Sequence, residues 1–496
     1  MTGQDESTTV GQFPSTQADS PGSIATTCTR LVWLLWVASL GVLTARLLTD
    51  GDWTFAGVFA VDGLTALMWV AVTFFSGIVH SYSRRYMAGS RNVDRFYARV
   101  FAFTLVVMAL VAADNLLVFV GAWLAMGLVM ADLIGYAQGW PQARAAATLA
   151  RRYFLASSGL LAVAVGTLWW QTGVTTLSGL PAAVGTDPST AVLVAAGALL
   201  LAAMVQSALV PFHTWLLSSM TAPTPASALM HAGFVNAGGI LLLRFAPVVT
   251  VDPTVMAVIV AVGAISALGG KLLKSVQTDV KRQLGCSTVG QMGFMIMQAG
   301  LGFFAAAITH LILHGFYKAY QFLGSGSQVE QTSPTAKASD QSIGVVGAAV
   351  TLLAALAGGV LFVALTGEGT GFDSGLVLVL LVVLTTLHAA RSAVQHTSIP
   401  ATIRYGAVVA VFLPAIAVYA LAYRFVEYVL AGVPLATAPT DLTPVHGLVA
   451  LAFVGVYLAI ETGIYKRSTR LYVALLNAAQ PPADTLLTST EDYNEY

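Results

Sequence analysis

Three ionisable residues recur at one-turn intervals within a long apolar stretch of this chain. His310, His314 and Lys318 stand at i, i+4 and i+8, so on a helix they form one stripe. Histidine titrates near neutral pH, and burial lowers the pKa of a lysine toward that range, so such a stripe can pass protons in small steps. Two histidines one turn apart also have zinc-ligand spacing, but the stretch 302–323 contains no cysteine or carboxylate to complete a metal site. The pattern favours a proton relay over a metal pair or polar groups that only pack.

A second group of candidates lies near the ends of other apolar stretches. Lys271 and Lys274 stand at the end of the stretch 254–274, where each either extends its ammonium toward water or belongs to an ion pathway. Asp132 either pairs with a basic loop residue or takes part in transport. Asp62 is expected to be shallow enough to be solvated.

Three prolines interrupt the apolar segment from 210 to 244, namely Pro211, Pro223 and Pro225. Proline leaves backbone carbonyls unpaired, and these are tolerated at membrane depth only beside protein or a watery cavity. Broken helices of this kind often line ion sites. His231 is the deepest polar side chain of the segment and the best candidate for a cavity-lining role, although a lone histidine in a membrane helix can equally be a packing hydrogen-bonder. His213 is expected at an interface.

The composition indicates the environment of these residues. Of 496 residues, 57% are hydrophobic and 9% are charged, against about 25% charged in ordinary soluble domains. The 23 basic and 23 acidic residues cancel, so no net charge points to nucleic acid. The two cysteines do not form a disulfide framework or a metal cluster. The sequence predicts an all-α, multi-pass membrane protein.

About fourteen apolar stretches are long enough to cross a bilayer. They are 31–48, 57–80, 99–113, 115–135, 153–170, 190–209, 222–245, 254–274, 284–300, 302–323, 344–366, 374–391, 405–429 and 444–464. Residues 1–29 are predicted to be a disordered cytoplasmic tail, 30–465 the transmembrane domain, and 466–496 a cytoplasmic interfacial helix with an acidic tail. Short loops rich in lysine and arginine alternate with loops that lack them, which places both termini in the cytoplasm of a cell-membrane protein.

Three long motifs carry a family resemblance. Residues 210–244, VPFHTWLLSSMTAPTPASALMHAGFVNAGGILLLR, resemble the signature of the antiporter-like subunits of respiratory complex I and Mrp cation/proton antiporters. Residues 277–295 and 310–327, QTDVKRQLGCSTVGQMGFM and HLILHGFYKAYQFLGSGS, resemble the same family in the same order. The family fold so implied is two inverted five-helix repeats with discontinuous helices. LLSSM and AGFVNAGG are more similar to the DabB-type subunits of inorganic-carbon accumulation systems.

That resemblance implies both partners and site residues. The expected partner is a cytoplasmic protein of DabA type, similar to zinc carbonic anhydrases, so zinc is expected in the partner and no cofactor in this chain. Lys274, His310, His314 and Lys318 occupy family positions. The family's first-half pair is missing, because Leu124 stands where these subunits have a glutamate and Gln206 stands where they have a lysine.

Four residues are secondary candidates for the pathway of protons or sodium: Asp132, His213, Glu368 and Lys271.

The sequence favours a transporter subunit rather than an enzyme, since it contains no Walker, HExxH, GxSxG or CxxC motif. The first hypothesis is a proton- or cation-conducting subunit that energises a DabA-like partner and so drives net bicarbonate formation from CO2. The second is a subunit of a complex I-type or Mrp-type complex. The third is a membrane anchor for a cytoplasmic enzyme that moves no ion.

Overall fold

The computed structural model describes residues 23–49, 51–90, 92–185, 189–325, 344–394 and 401–485. Its α-helices are α1 (Ser23–Leu48), α2 (Gly63–Tyr86), α3 (Val93–Ala112), α4 (Leu116–Ile134), α5 (Pro141–Thr172), α6 (Leu180–Val184), α7 (Thr190–Gln206), α8 (Thr214–Ser218), α9 (Thr224–Ala232), α10 (Ala237–Arg244), α11 (Ala246–Val249), α12 (Pro253–Ser275), α13 (Val280–Gly300), α14 (Phe304–Leu323), α15 (Val345–Thr366), α16 (Gly375–Val394), α17 (Ala401–Val429), α18 (Pro444–Thr462), α19 (Ile464–Arg467) and α20 (Thr469–Ala478). Short 3-10 turns occupy Ser219–Thr221, Phe234–Asn236 and Ala483–Thr485. Strands β1 (Trp53–Phe55) and β2 (Phe59–Val61) form one antiparallel hairpin, with Trp53 opposite Val61.

The predicted fold class, a polytopic helix bundle with discontinuous helices, is confirmed. Within the described ranges, 11 helices are long and apolar enough to cross a membrane. Helices α7, α13 and α14 coincide with the remaining predicted crossings. Helices suit this environment because each one satisfies its own backbone hydrogen bonds where lipid offers none.

The N-terminal boundary differs from the sequence prediction. Helix α1 begins at Ser23, inside the segment 1–29 that was predicted to be a disordered tail. The apolar, helix-compatible run that includes Ile24 and Ala25 extends the first crossing backwards, and Ala25 is buried against the bundle. Residues 1–22 lie outside the described part of the chain.

Side-chain caps fix where several helices begin. Asn115 accepts the backbone N–H of Leu117 at 3.0 Å and is the N-cap of α4, which separates this helix from α3. Asp279 accepts the N–H of Arg282 at 2.8 Å at the start of α13. These caps place the following helices, and α13 carries part of the candidate site.

Helices α12 and α13 approach each other through glycine. A Cβ added to Gly270 would lie 2.2 Å from the backbone nitrogen of Gly290, and one added to Gly293 would lie 2.4 Å from the nitrogen of Ala267. Only the absence of side chains at these positions allows such contact, which is the usual way in which membrane helices pack most closely. The contact holds Lys271 and Lys274 of α12 against α13.

The segment 210–244 is broken in two places. After α7 ends at Gln206 the chain runs irregularly to α8, and the crossing formed by α9 and α10 is interrupted by the turn Phe234–Asn236. Gly233 begins this turn with a backbone conformation outside the helical region, φ −126° and ψ −67°. The interruption in this crossing therefore follows His231, rather than coinciding with the prolines that precede it.

A buried ion pair joins the two ends of the first half, contrary to the expectation that Asp62 is solvated. The Asp62 carboxylate pairs with both terminal nitrogens of Arg244, and one of those nitrogens also donates to Thr65 Oγ1 at 2.8 Å. The Arg244 and Asp62 side chains are 10% and 11% exposed. The ion pair ties the start of α2 to the end of α10.

Replacing Arg244 by glutamine is expected to lower the free energy of unfolding by about 3–5 kcal/mol, because it leaves the Asp62 charge buried and unpaired. Thermal unfolding of the purified chain in detergent measures the loss. The control is Glu427→Gln, which removes an ion pair with an Arg424 side chain that is 54% exposed. That change is expected to cost about 0–1 kcal/mol. Equal losses of stability in the two variants would show that the buried Asp62–Arg244 ion pair stabilises the fold no more than an exposed pair does.

Helix α20 lies in the C-terminal region 466–496, for which an interfacial helix is predicted. Leu475 and Ala479 pack against Leu217, Leu273 and Cys286, which lie on three other helices or turns of the bundle. The acidic residues predicted for the tail lie in 486–496, outside the described residues.

Candidate ion-translocation site

Lys318 and His231 are the most buried of the predicted pathway residues. Lys318 lies on α14 with 0% of its surface exposed, and its Nζ donates to the carbonyl oxygen of Leu284 on α13 at 3.0 Å. An ammonium at this depth costs about 2.5–3.5 kcal/mol on insertion scales, so its presence marks a pair or a pathway.

A hydrogen-bonded connection leads from Lys318 to His231. The carbonyl oxygen of Leu284 also accepts from the Thr288 hydroxyl at 2.9 Å, and Thr288 Oγ1 lies 3.0 Å from His231 Nδ1. A hydroxyl that donates to Leu284 must accept from the ring, so His231 carries its proton on Nδ1 and leaves Nε2 as an acceptor. The His231 ring stacks on Phe322 with ring centroids 4.3 Å apart. The broken crossing of the first half and the stripe of the second half therefore meet across Thr288.

The two histidines of the stripe lie side by side on α14. The ring centroids of His310 and His314 are 5.7 Å apart, with an angle of 26° between the ring planes. His314 is buried, and both of its ring nitrogens are buried without a protein hydrogen-bond partner. Buried imidazole nitrogens without partners are free to exchange a proton with a neighbouring group or with water.

Lys274 lies in a cavity rather than on an open surface. The cavity has a volume of about 290 Å³, and its lining includes Lys271, Lys274, Gln291 and Tyr317. Lys271 was predicted either to extend toward water or to belong to a pathway; its side chain is exposed, and its Nζ lies 2.9 Å from His388 Nε2 on α16. Both lysines therefore line a cavity that Tyr317 of α14 also lines.

A second cavity of about 310 Å³ adjoins the first. Its lining includes His310, Gln298 and Tyr419, and it shares Gln291 and Phe294 with the first cavity. The structure thus brings His310 and the α12 lysines onto connected surfaces, although they belong to different helices.

Of the four secondary candidates, all but Lys271 lie apart from this group. Asp132 pairs with Arg151 at 2.9 Å and with Arg99 at 3.5 Å, which matches the alternative that it binds basic residues. His213 donates from Nε2 to the carbonyl oxygen of Ala478 at 2.9 Å, so it lies at the contact with α20.

Glu368 lies in the loop after α15 and accepts a hydrogen bond from the Tyr423 hydroxyl at 2.7 Å. Burial raises the pKa of the Glu368 carboxyl above its ordinary value, against the effect of the Tyr423 hydrogen bond, which lowers it. The structure does not bring Glu368 together with the α14 stripe.

Neutral residues, Leu124 and Gln206, stand at the two first-half positions where the resemblance implies a glutamate and a lysine. Gln206 is 0% exposed, and both polar atoms of its side chain are buried without a hydrogen-bond partner. Next to Leu124, the Trp123 indole donates to Ser157 Oγ at 3.1 Å, and Ser157 donates to the carbonyl oxygen of Ala202 at 2.9 Å. Here the tryptophan ties α4, α5 and α7 together.

Two residues near the cavity were not identified from the sequence. His388 and Glu461 lie within the apolar stretches 374–391 and 444–464, and their side chains meet at 2.9 Å. An ionisable group in an apolar helix is costly, and this criterion identified His310. The same criterion applies to His388 and Glu461 and would have identified them. Over the described residues, no group of three or more histidine, cysteine, aspartate or glutamate side chains could hold a metal ion.

Family models match the chain over much of this site. The model "NADH:quinone oxidoreductase/Mrp antiporter, TM" matches residues 113–342, and the model "NADH-Ubiquinone oxidoreductase (complex I), chain 5 N-terminus" matches residues 48–97. The structure of respiratory complex I from Thermus thermophilus with bound NADH contains a similar fold, with a TM-score of 0.55 and 20% identity, over 92% of this chain and 94% of that chain. Fold and site together define the class of antiporter-like membrane subunits.

Curated relatives narrow this class. The probable inorganic carbon transporter subunit DabB1 of Halothiobacillus neapolitanus is 40% identical over 286 residues, which make up 56% of this chain and 51% of that protein. The probable inorganic carbon transporter subunit DabB of Bacillus anthracis is 35% identical over 351 residues, 68% of this chain and 67% of that protein. The match thus spans about half of the first relative and two thirds of the second. The chain belongs to the DabB family of inorganic carbon transporter subunits.

Proposed function

We propose that the chain is the membrane subunit of a two-component inorganic carbon accumulation complex, in which it conducts protons or another cation to energise a cytoplasmic zinc protein of DabA type. The observation that carries the proposal is the buried stripe His310–His314–Lys318, connected through Thr288 to His231 on a broken crossing. Such a group has no need to be buried in a protein that only anchors an enzyme.

The residues of the stripe and Thr288 have different roles in the proposed proton transfer. Lys318 holds a proton on Nζ beside the Leu284 carbonyl, and His314 and His310 accept and release protons along α14. Thr288 donates to the carbonyl oxygen that Lys318 also uses and accepts from His231 Nδ1, so it positions the His231 ring beside Lys318 and leaves Nε2 as the nitrogen that can exchange a proton. The neutral Gln206 removes the first-half lysine from this scheme, so conduction depends on the second half.

The orientation follows from the helix order. Counting α9 and α10 as one crossing, α2, α4, α12, α16 and α18 end on one side of the bundle, and basic residues flank those ends. By the positive-inside rule these basic residues support the proposal that this side, with both termini and α20, is cytoplasmic and that the chain lies in the cell membrane.

A subunit of a complex I-type or Mrp-type complex is the second candidate, and the family-model matches favour it. The neutral residues at Leu124 and Gln206 and the DabB relatives weigh toward the first candidate. Affinity purification of the chain from its own membranes separates them. A single zinc-containing cytoplasmic protein is expected to co-purify, whereas several small membrane subunits would support the second candidate.

Deleting residues 466–496 is expected to release the partner, because α20 is the cytoplasmic element that packs on the bundle beside His213. The amount of partner recovered with the membrane subunit measures the effect, and a loss of about tenfold corresponds to about 1.4 kcal/mol of binding free energy. A matched control removes only residues 486–496. Full recovery of the partner with the larger deletion would refute a docking role for α20.

Replacing His231 by alanine is expected to impair transport more than replacing His213. His231 joins the Thr288 connection, whereas His213 bonds to α20 at the edge of the bundle. A positioned proton-transfer group contributes roughly 100-fold or more, so His231→Ala should lower the rate of gradient-dependent uptake by about that factor. Near-normal uptake in both variants, at equal amounts in the membrane, would remove His231 from the pathway.

A further inference from the structure

The ends of three helices carry a charged cluster that the family signature does not include. Lys271 lies on α12, His388 and Arg391 lie on α16, and Glu461 lies on α18. Lys271 Nζ is 2.9 Å from His388 Nε2, and His388 Nδ1 is 2.9 Å from Glu461 Oε1. The other carboxylate oxygen of Glu461 lies 2.6 Å from Arg391 Nε.

The contacts define where the protons are. An ammonium has donors and no acceptor, so Lys271 donates to a lone pair on His388 Nε2. The ring then carries its proton on Nδ1 and donates it to Glu461 Oε1, while Arg391 pairs with the other carboxylate oxygen. A lysine, a neutral imidazole and a carboxylate in this order form a donor–relay–counter-ion arrangement.

The cluster opens onto the cavity beside α14. Lys271 and His388 both line the cavity of about 290 Å³, together with Gln291 and Tyr317. Gln291 also lines the adjoining cavity that contains His310. The His388 side chain is 37% exposed, whereas that of Glu461 is 10% exposed, so the imidazole faces outward from a buried counter-ion.

We propose that Lys271, His388 and Glu461 form a transfer point through which protons pass between the α14 stripe and the side of the membrane where α12, α16 and α18 end. This inference rests on the proposed conduction of protons and names residues for its cytoplasmic end. In the step itself, the Nζ–H bond of Lys271 breaks as an Nε2–H bond forms on His388. The product is a neutral amine and an imidazolium beside the Glu461 carboxylate. Loss of the Nε2 proton to water in the cavity restores the neutral ring.

The charged and titratable groups around His388 support this direction of transfer. Lys271 and Lys274 face the cavity from α12 one helical turn apart, so their like charges repel each other. Glu461 faces the ring from α18, and its carboxylate stabilises the imidazolium that forms. Arg391 pairs with the other oxygen of the same carboxylate.

The competing interpretation is structural: Glu461 only holds α18 against α16 through its ion pairs with His388 and Arg391. Chemical rescue distinguishes the two interpretations. Added imidazole can replace a proton-transfer group, but it cannot restore a contact that holds two helices together. His388→Ala leaves a space beside a cavity that is large enough to admit imidazole. The full chain, with the subunits that co-purify with it, is reconstituted in vesicles containing a pH-sensitive dye, and proton flux is measured under an imposed gradient.

We expect His388→Ala to lower the flux about tenfold or more, as for other positioned proton-transfer groups. Added imidazole should restore much of it, with a pH dependence that follows the added base. Glu461→Gln should also lower the flux, since it removes the counter-ion but retains an acceptor for the ring. Glu427→Gln, on α17, is the matched carboxylate control and should leave the flux unchanged.

Each other outcome counts against the inference. Wild-type flux in His388→Ala, or a loss that imidazole does not restore in a variant that folds normally, would overturn it while leaving conduction intact. A wild-type chain that conducts no more than empty vesicles would instead overturn the proposed function.

Discussion

Replacing Lys318 by arginine is expected to stop conduction. Lys318 is fully buried and donates to Leu284, and its role in the pathway requires its ammonium to lose a proton and regain it. Guanidinium stays charged in proteins, so arginine preserves the charge and the donor but cannot take part in that exchange. A loss of roughly 100-fold or more in gradient-dependent uptake is expected from removal of a proton-transfer group.

The matched control for Lys318→Arg is Lys281→Arg. Lys281 lies in the first turn of α13, near the same end of the bundle, and is only partly buried. Arginine there keeps a charge that the positive-inside rule favours and should leave uptake at the wild-type level. Measurements at equal amounts of protein in the membrane compare the two variants. Wild-type uptake with Lys318→Arg would rule out a relay through that residue.

Replacing His314 by phenylalanine is expected to break the stripe without changing its shape. The His314 ring lies between His310 and the Lys318 turn of α14 and stacks against His310 at 5.7 Å. Phenylalanine keeps a planar ring in an apolar setting and removes both nitrogens, so packing is largely retained while proton exchange is lost. We expect flux to fall about 10- to 100-fold, within the range for a single acid–base group.

His80→Phe serves as the control for this substitution. His80 is a buried histidine on α2, with Nδ1 2.8 Å from the carbonyl oxygen of Ser76, and it lies outside the stripe. The flux per folded molecule should change in the His314 variant and stay near wild type in the His80 variant. Equal losses in both would show that removing any buried histidine damages the bundle.

Hydrophobicity and length predict most of this fold, because lipid imposes helices of a narrow length on any chain that crosses it. Each predicted crossing coincides with a helix for that reason. The motif around 210–244 also predicts a discontinuous crossing, but it does not show that the interruption follows His231. That position depends on how Phe234 and Asn236 fit the neighbouring helices.

Contacts between distant residues are harder to predict. The spacing of His310, His314 and Lys318 is local, so one helix suffices to align them. Two contacts join residues that are more than a hundred positions apart, Asp62 with Arg244 and Lys271 with His388. Such contacts depend on which helices become neighbours in the fold. Asp62 was therefore predicted to be solvated, and His388 was not identified, although the cost of a polar group in an apolar helix applied to both.

The glycine contact between α12 and α13 constrains how the site can move. The packing at Gly263, Gly270 and Gly293 is too close to admit even one Cβ, so we expect these two helices to shift together as one rigid body. Lys271, Lys274 and the Leu284 carbonyl then keep constant separations through any transport cycle. The variable distances are those across to α9 and α14, so alternation between states has to occur at His231 and Lys318.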